Sequence, residues 1–137
     1  MSYPLTHVEG LDVDEMKSLK AIGIRTTERL LESAKSPKGR KLLAAKTAID
    51  EKRLLMFANA CDHLRIKGMG PGYVVLLREV GVDTVRELRY RKPENLVCAM
   101  TEANRKKKLV RLLPSPKLVV RWVEQANKLS LKITYKK

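Results

Sequence analysis

The chain has 137 residues and a mass of 15.6 kDa, with 44% hydrophobic and 32% charged residues. That fits a single domain or two small repeats and excludes a large multidomain enzyme or a disordered tail. Twenty-nine Lys and Arg against fifteen Asp and Glu leave a net charge of +14, which attracts polyanions. The longest stretch free of charged residues, 68–77, is about half of what a membrane-spanning helix needs, so no membrane partner is expected.

Met1 to Val8 shows neither a basic n-region nor an apolar h-region, which points to a cytoplasmic protein. A first helix over about 14–22 stops at Gly23, a natural left-handed cap, and Thr26 opens the next. Ser36-Pro37 opens a third helix and Asp50 a fourth, along which Leu54, Leu55, Ala58 and Cys61 form an apolar stripe. The segment Ile66-Lys67-Gly68-Met69-Gly70-Pro71-Gly72 then leads into an apolar helix over 73–80 that stops at Gly81. Thr84 with Glu87 forms a capping box, and Lys92-Pro93 and Ser115-Pro116 open two further helices. The last carries a second stripe, Val119, Val120, Val123 and Ala126. Residues 131–135 alternate like a short strand, and Lys136-Lys137 ends a loose basic tail.

These elements repeat. A shift of 58 places Gly10 on Gly68, Leu19 on Leu77, Gly23-Ile24 on Gly81-Val82 and Thr26 on Thr84. A shift of 65 places Phe57 on Trp122 and Cys61 on Ala126, with the extra residues before Pro114. The expected fold is all-α: two units of about four short helices, 1–65 and 66–132, packed through their fourth helices and the Arg65-Ile66 link, with a tail over 133–137. Residues 1–65 have a net charge of +3 and residues 66–137 +11.

The glycines of 68–72 let the backbone turn tightly, and the N–H groups opening the next helix form an anion site for a phosphate oxygen. The candidate nucleic-acid contacts are Lys67, Gly68, Met69, Gly70, Gly72 and Arg78. A cluster of Arg86, Arg89, Arg91 and Lys92 and the basic run Lys106, Lys107, Lys108 and Arg111 extend them if they share a face. Such contacts read backbone rather than bases. Unit one keeps Gly10 but sets Glu9 and Asp12 where a phosphate would approach, and Pro114 removes an N–H from the last turn. With aromatics at 4%, a base-stacking platform for single strands is disfavoured.

The doubled Gly-containing turns resemble the helix-hairpin-helix motif. The run Leu77-Arg78-Glu79-Val80-Gly81-Val82-Asp83-Thr84-Val85-Arg86-Glu87-Leu88 is similar to the C-terminal domain of the bacterial RNA polymerase alpha subunit. Gly10, Gly23-Ile24, Thr26, Leu30-Leu31, Gly39-Arg40, Asp62, Arg65-Ile66-Lys67-Gly68, Gly81-Val82, Thr84, Pro114-Ser115 and Trp122 together resemble the bacterial family called domain of unknown function 4332. That resemblance implies tandem helix-hairpin-helix units and nucleic-acid binding.

His7 and His63 have no metal-ligand spacing and no positioned partner, and no P-loop, HExxH or GxSxG occurs, so no catalysis, metal or cofactor is expected. Cys61 and Cys98, far apart, read as small buried apolar residues. The expected function is sequence-independent binding of double-stranded DNA, with a nucleoid location. The alternative is a protein–protein adaptor that docks through residues 1–65.

Overall fold

Among residues 2–135, which the computed structural model describes, a 3-10 turn at Leu5–His7 precedes eight α-helices. They are α1 Val13–Ala21, α2 Thr27–Ala34, α3 Pro37–Thr47, α4 Glu51–His63, α5 Pro71–Glu79, α6 Val85–Arg89, α7 Pro93–Lys107 and α8 Pro116–Lys128. The described residues contain no β-strand, only an isolated bridge between Pro4 and Thr26. The chain is all-α.

The local signals act where the sequence places them. Gly23 and Gly81 take φ of +87° and +88°, and each ends its helix with the same pair of bonds. In the first, Ile24 N–H donates to Leu19 O and Gly23 N–H to Lys20 O; in the second, Val82 donates to Leu77 and Gly81 to Arg78. Thr26, Ser36, Thr84 and Ser115 each accept an N–H of the first turn that follows, and Glu87 completes the Thr84 capping box. The additional residues of the second copy lie in α7, fifteen residues against eleven in α3, and in the loop after it.

Each half packs around its last long helix: α4 lies against α2 and α3, and α8 against α6 and α7. The halves meet mainly where α4 touches α5 and α6, rather than fourth helix on fourth helix as the repeat suggested, and Ile66 of the link is buried in the core. One continuous apolar core results, with Leu54, Phe57, Leu64, Ile66, Leu77, Leu88 and Trp122 fully buried. Val119, Trp122 and Ala126 form the inward stripe of α8, whereas Val120, one position off it, is exposed. Cys61 is buried as expected; Cys98 is exposed, because the buried stripe of α7 runs through Leu96 and Met100.

The end of the chain is a strap rather than a loose tail as far as residue 135. Thr134 N–H donates to Lys35 O (2.8 Å), Arg40 Nη2 to Thr134 O (2.7 Å) and Tyr135 O–H to Asn59 Oδ1 (3.2 Å). The segment is extended but has no strand to pair with, and the Lys35 carbonyl and the side chains of Arg40 and Asn59 satisfy it instead. Lys136 and Lys137 lie outside the described residues.

His63 closes α4 at the junction of the halves, fully buried, with Nδ1 3.1 Å from Asn59 O. Burial lowers its pKa from 6.5 to about 4. The unfolded chain therefore takes up this proton first, so the contribution of His63 to stability is complete above pH 6.5 and is lost as the pH falls towards 4. Urea denaturation from about pH 7 to about pH 4.5 should cost the wild type about 2 to 3 kcal/mol more than His63→Gln, in which all other titrating groups are retained. Equal losses in the two proteins would contradict this.

Candidate nucleic-acid interface

The two turns that precede α1 and α5 share a backbone but differ in what closes the following helix. Gly10 has φ +90° and Gly68, its counterpart, φ +82°, a region that side chains rarely adopt. Gly68 also lies close to α8: a Cβ there would stand 2.8 Å from Leu118 Cδ1, which would have to shift, and 3.6 Å from Trp122 Nε1. Gln125 pins the adjoining peptide, accepting from Lys67 N–H at 2.9 Å and donating to Lys67 O at 3.3 Å. The turn is thus held against α8, and Met69 is buried beneath it.

In the first copy, Asp12 caps α1. Glu15 N–H donates to Asp12 Oδ1 (2.7 Å), and Glu15 returns the bond to Asp12 N–H (3.1 Å). Arg53 holds Glu15 through two bonds of 2.8 and 2.7 Å and also donates to Gly10 O. That hydrogen-bonded pairing keeps the Glu15 carboxyl below the usual carboxylate range. The positive end of α1 is therefore occupied by the chain's own carboxylates.

At the matching position the second copy has Gly70, with no side-chain cap. Pro71 follows, and the first backbone bond of α5 is Val74 N–H to Gly70 O (3.1 Å), so the N–H groups of Gly72 and Tyr73 precede it. A Cβ on Gly70 would meet nothing within 4 Å. This helix start is open, narrow and uncapped, which is the geometry an anion needs.

The cations separate into three groups. Lys67 and Arg111 are exposed beside the turn, Arg111 on the rim of an open cleft of about 370 Å³ that Gly70, Gly72 and Tyr73 also line. Lys106, Lys107 and Lys108 are exposed, but Lys107 pairs with Glu79 (2.5 Å) at the far end of α5 and Lys106 lies 3.8 Å from Glu102. The loop from Lys108 to Ser115 runs back along α5 to its start, so the basic run and the turn lie at opposite ends of one edge.

Two members of the third group are drawn into the fold. Arg89 donates through Nε to Ala126 O (2.6 Å) and through Nη2 to Leu129 O, satisfying the end of α8. Arg91 donates to Val80 O (3.2 Å) at the end of α5. Arg78 lies in the last turn of α5, about 10 Å from its start at 1.5 Å per residue, and does not reinforce the helix N-terminus. Arg86 is exposed but lines a small cavity with Asp62, Lys132 and Tyr135, and Lys92 is exposed ahead of α7. Of the Arg86–Lys92 cluster, Arg89 and Arg91 are thus engaged by backbone carbonyls, whereas Arg86 and Lys92 are exposed.

The family model for the domain of unknown function DUF4332 matches residues 9–129. The chain belongs to this family. No curated protein and no solved structure matches it. In this DUF4332 chain the matched region includes both glycine turns and all eight helices, so the paired architecture with unequal caps lies within the family's own span.

Three positioning residues carry no sequence signal of their own: Gln125 on the Lys67 peptide, Asn104 on Val110 and Tyr73 on Leu112 O. Arg89→Ala should lower stability by about 2 kcal/mol in urea denaturation, whereas Arg111→Ala should change it by less than about 0.5 kcal/mol. The reverse ranking would show that Arg89 is not a structural cap.

Proposed function

We propose that the chain binds double-stranded DNA through its phosphates without catalysis, and that the start of α5 is the contact, acting as a helix-hairpin-helix motif does. The supporting observation is the contrast between the two copies. Where α1 carries Asp12 as a cap of its own, α5 carries Gly70 and leaves its first-turn N–H groups to an outside anion. Arg111 lies at that opening, with Lys67 exposed in the turn before it, and the net charge of +11 on residues 66–137 draws the polyanion to this half. Main-chain and point-charge contacts carry no base information, so binding is sequence-independent. The described residues contain no helix long and apolar enough to cross a membrane. Association with the nucleoid follows from the proposed activity.

The adaptor reading draws on one feature of the first half, a cleft of about 350 Å³ between α2 and α3 lined in part by Ile22, Ile24, Leu42 and Leu43. It has no charge bias of the kind that singles out the start of α5.

Gly70→Asp separates these readings cleanly, because it gives α5 the cap that α1 already has. It meets no steric obstacle and no positive φ, whereas a substitution at Gly68 would be strained at φ +82°. The variant should keep or gain stability, by up to about 1 kcal/mol. It should also lose affinity for a short random-sequence duplex, measured by fluorescence anisotropy across a salt series. In the wild type log K should fall with log salt by about 0.9 for each phosphate neutralised. Undiminished binding by a folded Gly70→Asp protein would remove α5 from the interface.

A further inference from the structure

The loop between α7 and α8 carries a leucine that the core does not use. Leu112 is 76% exposed, while Val110 and Leu113 on either side pack against the core. The loop is nevertheless braced. Asn104 accepts from Val110 N–H (2.9 Å) and donates to Val110 O (3.1 Å), and Tyr73 O–H donates to Leu112 O (3.0 Å). Tyr73 in turn rests on the buried Trp122, with ring centroids 5.2 Å apart. The absence of a side chain at Gly72 admits Val110, whose Cγ1 would lie 3.1 Å from a Cβ there. Leu112 is thus held out at a fixed place beside the cleft that begins at Gly70.

That cleft has an apolar floor from Tyr73, Leu109 and Val110, Arg111 at its rim, and no acidic residue among those lining it. With Lys67 close by and the uncapped start of α5 at one side, its electrostatics select a polyanion rather than an apolar protein surface. An apolar tip within such a basic frame matches the way minor-groove proteins insert a leucine between base steps while arginine follows the groove.

We infer that Leu112 is a wedge that enters the minor groove of the DNA held by α5 and opens a base step, with Arg111 beside it, so that the protein prefers DNA whose stacking is already interrupted. This rests on the proposed phosphate contact at α5. A mismatch supplies in advance the unstacking that a paired step must undergo, and the wedge converts that difference into affinity.

The test uses two duplexes of equal length, one fully paired and one with a central mismatch flanked by 2-aminopurine, titrated by anisotropy and by 2-aminopurine fluorescence. The wild type should bind the mismatched duplex about tenfold more tightly and raise its fluorescence. Leu112→Ala should lose both effects while binding the paired duplex within about twofold of wild type, and Leu112→Phe should retain them. Gly70→Asp should weaken binding to both duplexes alike. Equal affinity of the wild type for the two duplexes, or a preference that survives in Leu112→Ala, would overturn the wedge and leave the α5 contact standing. Binding to neither duplex would overturn both.

Discussion

The approach of Gly68 to α8 sets the direction of everything after the link between the halves. At φ +82°, with Leu118 Cδ1 2.8 Å from where a Cβ would stand, glycine makes that turn without strain and any other residue would be strained. Gln125 then fixes the Lys67 peptide on α8, and Met69 is driven beneath the turn. α5 therefore starts from a turn fastened to α8, and its first residues, Gly70 to Tyr73, line an open cleft. The loop over 108–115 can close along it because Gly72 leaves room for Val110. Rigid packing on one side of the turn is the condition for an open helix start on the other.

The internal repeat supplies its own control. α1 and α5 follow glycines of nearly the same φ, and both end in the same left-handed glycine with the same two hydrogen bonds. They differ in the cap. Asp12 and Glu15, with Arg53 behind them, neutralise the start of α1, whereas Gly70 and Pro71 leave α5 without a side-chain acceptor. An aspartate cap stabilises a helix, so its replacement by glycine in one copy gives up a small, local stabilisation. The proposed DNA contact accounts for that asymmetry: a phosphate takes the place of the missing carboxylate.

Helix boundaries were legible in the sequence because their causes are local. Gly23, Gly81, Ser36-Pro37, Ser115-Pro116 and the Thr84–Glu87 pair act within four or five residues of themselves, and each does what its chemistry requires. Side-chain destinations that depend on distant segments were not legible. Arg89 reads as a phosphate ligand until the end of α8, thirty-seven residues later, places Ala126 O within its reach. Gln125 lies 58 residues from the peptide it holds, and the strap finds Lys35 O across 99 residues. Even the aspartate cap of α1 was visible only as a carboxylate in the way of a phosphate. The same residue is repulsive to a ligand and stabilising to its own helix, and sequence shows one side of that.

In the proposed complex the first-turn amides of α5 are the groups that meet the phosphate. The most direct measurement is an amide chemical-shift titration of the ¹⁵N-labelled chain with a short duplex, at low salt and again at high salt. The Gly70, Gly72 and Tyr73 resonances should move most and return as salt is raised, while Asp14 and Glu15, at the matching positions of α1, stay in place. Shifts that spare Gly72 and Tyr73, or that appear equally at the start of α1, would contradict it.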